Sequence, residues 1–207
     1  MPTHPLWRAY DPAATLARRH NRVAGRQVNV AGVVAANPAW PVEFETIRML
    51  LHTTLAQRAL RISHVGSTAV PGLPAKPIID VDLTVADSTD ENDYLPALEP
   101  AGFRLIAREP GWEEHRFLTF ARPNANVHVF SPGATEPERH LLFRDWLAEH
   151  GSERRAYGSL MLALAGAGVD ASGDYNGNKA AFVYDVYERI FAHDPRFEHT
   201  LRPRSGG

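Results

Sequence analysis

The sequence predicts an α+β fold, a mixed β-sheet flanked by helices and followed by a C-terminal helical section. Three observations point to it. Strand-like segments fall almost entirely before residue 133, and helical patterns occupy the chain after Ser131-Pro132-Gly133. The 207 residues are 44% apolar and 22% charged, an ordinary globular balance with enough length for one substantial domain.

The elements follow in order. Gln27 to Val34 is β-like, and Asn37-Pro38 with Trp40-Pro41 breaks it. Phe44, Ile47, Leu51 and Leu55 recur at three- and four-residue spacing, which predicts a helix over 42–59. A short strand is expected at 61–65, then an irregular loop at 66–77 with two glycines and three prolines. The clearest strand runs over 78–85. A helix at 90–101 and strands at 103–107, 115–121 and 126–130 complete the first half. Helical patterns then cover 136–149, 152–166 and 174–192, the last with Phe182, Val186 and Ile190 on one line. The division this implies is an N-terminal extension at 1–27, loosely packed or, with Arg18, Arg19, Arg22 and Arg26 against the single acid Asp11, a transit peptide or basic arm, and a domain at 28–192. That domain has a sheet-bearing core at 28–133 and a helical section at 134–192, with a C-terminal tail at 193–207 that frays from Arg202 onward.

A formal net charge of −2, with acids and bases mixed throughout, offers no field for steering onto nucleic acid or an anionic membrane. The absence of cysteine excludes disulfides and thiolate metal sites, so any metal is held by oxygen or imidazole. No apolar run approaches the length of a membrane span and no secretory signal is visible, so a cytoplasmic location is expected.

Side chains alternate along a strand, which puts Asp80 and Asp82 on one face and Ile79, Val81 and Leu83 on the other. Two carboxylates roughly 7 Å apart repel by about 2 kcal/mol at an effective dielectric near 20. A divalent cation, Mg²⁺ or Mn²⁺, relieves that repulsion; an edge strand with one solvated face explains the same pattern. The preceding loop favours the cation. Gly66 lets backbone N–H groups approach a phosphate, the Ser67 hydroxyl adds a donor and Lys76 a positive charge. This is no Walker A loop, since no Gly-Lys-Ser/Thr follows at the required spacing and a strand comes next.

The Gly66-Ser67 turn, with Asp80-Val81-Asp82 beginning thirteen positions after Ser67, resembles the nucleotidyltransferase superfamily typified by polymerase β. More narrowly, the string from His64 to Asp80 (HVGSTAVPGLPAKPIID) is similar to the signature of the GrpB family. The resemblance continues through Asn37–Pro41, Asn126–Phe130, His140–Leu147 and Tyr175, Lys179 and Phe182, covering about residues 28–192. It implies a nucleotidyltransferase-like fold in which Asp80 and Asp82 hold the metal and Gly66, Ser67 and Lys76 bind phosphates. Active members of the superfamily use a third carboxylate on a neighbouring strand, and His128 stands at the matching position here. A neutral imidazole there can ligate a metal or accept a proton. Met161 stands where relatives carry lysine.

Further candidates follow. Arg116 is a candidate phosphate ligand, Arg144 either lines the site or sits in an ion pair beside Asp145, and Tyr175 and Lys179, one helical turn apart, either line the cleft or pack on a helix surface. Glu113 or Glu114 supplies a replacement acid or a solvated turn, and His64 reaches the site or satisfies a loop carbonyl. The expected function is metal-dependent transfer of a nucleoside monophosphate from an NTP, ATP first among them, to a small-molecule or protein acceptor. A nucleotide-binding regulatory module without turnover is the alternative, and a phosphohydrolase with Asp80, Asp82, His64 and His128 as metal ligands is a third.

Overall fold

A computed structural model describes residues 2–11, 22–28, 32–166 and 173–204, the side chains of 173–178 excepted. Its sheet contains β1 (Arg61–Val65), β2 (Ile79–Thr84), β3 (Arg104–Glu109), β4 (His115–Phe120) and β5 (Ala125–Phe130), in the spatial order β1-β2-β5-β4-β3. β2 and β5 run parallel and the other neighbours antiparallel, which makes the sheet mixed, as expected. The helices are α1 (Trp40–Leu55), α2 (Glu91–Leu98), α3 (Glu136–Glu149), α4 (Gly151–Gly166) and α5 (Gly173–His193).

Alternation along the central strands sorts the sheet into two faces. Ile79, Val81 and Leu83 of β2 and Val127 and Val129 of β5 are fully buried, in one cluster with Trp40, Phe44, Ile47, Leu51 and Leu55 of α1. Each such side chain contributes about 1.5–3 kcal/mol by leaving water, enough to hold α1 on that face. Pro41, in the first turn, suits the start of α1 because its missing N–H would have no intrahelical partner there. The stripe read from the sequence is the stripe that packs. α1 ends at Leu55, earlier than expected, and a single 3-10 turn carries 56–58. Among the described residues no helix is long and apolar enough to cross a membrane.

The opposite face carries the polar residues of the same strands, and α3, α4 and α5 rise beside it. Phe143 and Trp146 of α3 pack both on the group containing Tyr157 and Met161 of α4 and on the group containing Val186 and Tyr187 of α5. The start of α3 is held from outside the helix. Glu113 accepts hydrogen bonds from the backbone N–H groups of Thr135 (3.0 Å) and Glu136 (3.1 Å), two donors that a helix start leaves without intrahelical partners.

Two expectations about segments outside the core change. Gln27–Val34 forms no strand among its described residues; only Val34 makes a β-bridge, to Ala75. The two ends are also tied down where the structure describes them. His4 is buried and stacks on Phe191 at 4.4 Å, and Trp7 Nε1 donates to Glu188 at 2.6 Å. Arg202, placed in a frayed tail by the sequence, donates its backbone N–H to the same Glu188 at 2.7 Å and lays its guanidinium over Trp7. Glu188 is a buried carboxylate on α5, and burying it is tolerable only when donors converge on it.

Candidate active site

The polar face of the sheet opens into a cavity of about 360 Å³. Its walls come from the Gly66-Ser67 turn, Asp80, Asn126 and His128 on one side, and from His140, Phe143, Tyr157 and Tyr187 of the helical section on the other. A smaller chamber of about 190 Å³ adjoins it, sharing Ser67, Asp80, Asn126 and Lys179 and adding Thr68, Lys76 and Met161. One chamber is largely aromatic and the other largely polar.

The turn and the aspartates meet directly. Gly66 has φ +70 and ψ −169, a backbone region essentially reserved for glycine. A Cβ on it would lie 2.4 Å from Asp80 Oδ2 and 2.9 Å from Asp80 Cβ. Only a residue without a side chain lets the turn rest on that carboxylate. Asp80 Oδ1 receives an N–H from Asn126 Nδ2 at 2.6 Å, and Asn126 in turn accepts from the Arg26 guanidinium. Burial raises the Asp80 carboxyl above the usual carboxylate range, although the Asn126 hydrogen bond and the nearby Lys179 pull the other way.

Asp82, two residues along the same face, is nearly sealed, its side chain 3% exposed against 27% for Asp80. Its carboxylate lies 2.9 Å from Nδ1 of His140. Burial disfavours a charged His140, but the hydrogen bond and charge of Asp82 outweigh it and raise its pKa. His128 stands beside Asp82 in the parallel register, with Nε2 4.0 Å from Asp80 Oδ1. Burial and the neighbouring His115 push His128 down to about 3, so the imidazole is neutral.

Of the residues singled out in the sequence, Gly66, Ser67, Asp80, His128 and Lys179 line the main cavity and Lys76 the polar chamber. Asp82 lies just beneath, on the same strand face. The Tyr175 side chain falls outside the described residues. Met161 is buried in the wall of the polar chamber.

Four candidates do not join the site. Arg116 lies on the other face of β4, opposite Val129, where its guanidinium donates to Glu91 at 2.7 Å and to the carbonyl of Glu114. Arg144 donates to the His64 carbonyl at 2.9 Å and to Asp145, and lines a separate cleft of about 620 Å³ between β1 and α3. His64 pairs with Val81, so alternation turns it towards α1, where it stacks on Phe44 at 4.6 Å. Burial and Arg144 lower its pKa to about 4. Glu113 supplies no third acid because it caps α3. The set Asp80, Asp82, His64 and His128 is thus not brought together.

The sequence reading passed over Asn126 and His140. Asn126 had a signal, since it stands two residues before His128 and therefore on the same strand face. His140 had only its place in the family-like string, because its meeting with Asp82 depends on how α3 docks. Arg26, assigned to a loose extension, reaches Asn126 through a chain path that no local pattern reveals.

Among the described residues no three His, Asp or Glu side chains gather as a ready metal site. The available hard donors are the carboxylates of Asp80 and Asp82, the first opening into the cavity and the second paired with His140. Their chemistry suits a small divalent cation, and the raised pKa of Asp80 marks a place where added positive charge would be favourable.

Comparison with known proteins bears on the same span. A family model described as GrpB protein matches residues 31–189. A UPF0157 protein of Halalkalibacterium halodurans is 42% identical over 156 residues, covering 75% of this chain and 80% of that protein. A UPF0157 protein of Streptomyces coelicolor is 40% identical, covering 63% and 69%. The crystal structure of conserved protein GrpB from Enterococcus faecalis superposes with a TM-score of 0.68 at 30% identity, covering 77% of this chain and 96% of that one. A dephospho-CoA kinase of Mycobacterium leprae is 28% identical, and the match takes in 78% of this chain but only 46% of that protein.

Proposed function

From the premise that the chain belongs to the GrpB protein family, we propose that it is a metal-dependent nucleotidyltransferase, moving a nucleoside monophosphate from an NTP, ATP foremost, onto an acceptor hydroxyl. The observation that carries the reading is the contact between the Gly66-Ser67 turn and Asp80. It sets a phosphate-binding backbone against a carboxylate whose partner Asp82 is two residues away. The dephospho-CoA kinase relatives lend support to a nucleotide as one substrate. Their kinase activity does not carry over, since this chain spans about half their length and contains no Walker A loop.

Asp80 and Asp82 would hold Mg²⁺ or Mn²⁺, which supplies charge neutralisation at phosphate oxygens when bound. The Gly66-Ser67 backbone and the Ser67 hydroxyl bind the terminal phosphates, and Lys76 and Lys179 offset their charge from the polar chamber. The rings of Phe143, Tyr157 and Tyr187 keep water from the other side. The acceptor oxygen then bonds to the α-phosphorus, the bond to the bridging oxygen breaks, pyrophosphate leaves with the electron pair, and the hydroxyl proton is released to water. Catalysis on this account is positioning and electrostatics.

Two features favour a second reading, a nucleotide-binding regulatory module without turnover. His128 occupies the third-carboxylate position and Asp82 is already engaged by His140. ATP labelled at the α- or γ-phosphate, presented with a metabolite extract, separates the two. Appearance of the α-label on an acceptor supports transfer, and tight Mg²⁺-dependent binding without turnover supports the module. Both fail if Asp80→Asn and Asp82→Asn leave metal-dependent nucleotide binding unchanged.

A further inference from the structure

Behind His128 runs a line of buried polar side chains that the transfer reaction does not use. Glu109 of β3 and His115 of β4 are register partners, with Glu109 Oε2 2.6 Å from His115 Nδ1. His115 Nε2 lies 3.0 Å from His128 Nδ1, and Glu109 and His115 are both buried. The rings of His115 and His128 stack at 5.1 Å, and Phe130 closes on His115 at 4.8 Å.

We propose that Glu109 and His115 are positioning residues that lock His128 in its neutral Nδ1–H tautomer. The bare Nε2 then faces the cavity and receives the hydrogen bond of the acceptor hydroxyl. The functional half of this statement rests on the transfer reading above; the tautomer does not.

Donor and acceptor roles fix the direction of the chain. An ionised carboxylate only accepts, so His115 Nδ1 must carry the hydrogen at the Glu109 end. In a neutral His115 the Nε2 atom is then an acceptor, and the hydrogen between the two rings belongs to His128 Nδ1. A neutral His128 is left with a lone pair on Nε2. A doubly protonated His115 would reverse the order and put a hydrogen on His128 Nε2, aimed at Asp80. The geometry speaks against that arrangement. The Nε2–Oδ1 separation of 4.0 Å is too long for a hydrogen bond, and that oxygen already receives Asn126 at 2.6 Å. A hydrogen bond from that N–H to an ionised carboxylate would be expected to close to about 2.7–2.9 Å.

The lone pair therefore points into the cavity beside the Asp80 carboxylate, where it can take the hydrogen of a ligand that brings its own. A hydroxyl does so while its oxygen remains available for attack. The second layer has the logic found around metal-binding and catalytic histidines, where a partner on one ring nitrogen decides what the other can do. Since isolated imidazole side chains favour the hydrogen on Nε2, the proposed state runs against the intrinsic preference and is diagnostic.

The test is long-range ¹H–¹⁵N correlation spectroscopy on the uniformly labelled full chain near neutral pH, without nucleotide. The expected spectrum has His128 Nδ1 protonated and Nε2 of the bare, pyridine type. His115→Phe keeps the ring and removes the hydrogen bond, and is expected to move the His128 hydrogen to Nε2. Glu109→Gln retains an acceptor oxygen and is expected to preserve the wild-type tautomer, while Glu109→Ala loses it. A hydrogen on His128 Nε2 in the unmutated protein overturns the proposal without any variant. So does a His115→Phe protein that is folded and keeps the wild-type tautomer. Because no nucleotide is present, failure here is distinguishable from failure of the transfer reading, which is judged by labelled nucleotide.

Discussion

Gly66→Ala is the sharpest perturbation the structure offers, because two separable penalties fall on one methyl group. The backbone at φ +70 and ψ −169 is a region that side-chain-bearing residues avoid, at about 1–3 kcal/mol. The added Cβ would stand 2.4 Å from Asp80 Oδ2, 2.9 Å from its Cβ and 3.0 Å from its Cγ. Overpacking of that kind adds about 1–3 kcal/mol, giving roughly 2–6 kcal/mol in all. Gly72 is the control, since it has φ +77 but no atom within 4 Å of a built Cβ, so Gly72→Ala should lose only about 1–2 kcal/mol of backbone strain. Urea denaturation of both variants gives the difference, expected at about 1–4 kcal/mol. A nucleotide-binding measurement on folded Gly66→Ala should show weakened affinity, because Asp80 must move to admit the methyl group. Equal destabilisation by the two substitutions would refute the idea that the turn rests on the carboxylate.

Two further outcomes follow from where the structure places charged and titratable groups. Arg116→Ala breaks an ion pair whose side chains are 8% and 19% exposed and should destabilise by about 3–5 kcal/mol in urea, whereas Arg144→Ala should cost about 1 kcal/mol. Neither should change nucleotide affinity by more than about twofold, and a tenfold loss in a folded variant would return that arginine to the site. His64 is neutral in the fold with its pKa lowered to about 4, so the unfolded chain binds its proton first as pH falls below about 6.5. Its contribution is therefore intact above that pH and lost on acidification, by about 1.3 kcal/mol between about pH 7.5 and about pH 5.5. The measurement is urea stability at both pH values for the natural chain and His64→Phe. His140 has the opposite sign, with stability lost as pH rises through its raised pKa, so an unchanged difference between the two proteins would overturn the assignment to His64.

The order and kind of the main elements were legible because their signals are local. Three- and four-residue apolar spacing marks α1, and alternation marks β2, where Ile79, Val81 and Leu83 pack against α1 while Asp80 and Asp82 face away. The same alternation also placed Asn126 and His128 on one face of β5, although only His128 was read as functional. Element ends were less legible: α1 stops at Leu55 and the described residues of Gln27–Val34 yield one bridge, since backbone partners rather than composition decide where pairing begins and ends. Arginines were the least legible of all. A guanidinium is long, always charged and content with any acceptor in reach, so sequence could not tell Arg116 on Glu91 or Arg144 on a β1 carbonyl from a phosphate ligand.

By itself, then, the sequence determined the α+β class, the shared face of Asp80 and Asp82 and the Gly66-Ser67 turn ahead of them, because each follows from spacing along one stretch of chain. The tertiary structure alone decided that the turn rests on Asp80, that His140 rather than Arg144 meets the aspartates, and that Glu109 and His115 stand behind His128. Those contacts join residues on different elements, from 6 to 58 positions apart, and their geometry follows from strand register and from how the helical section docks on the sheet.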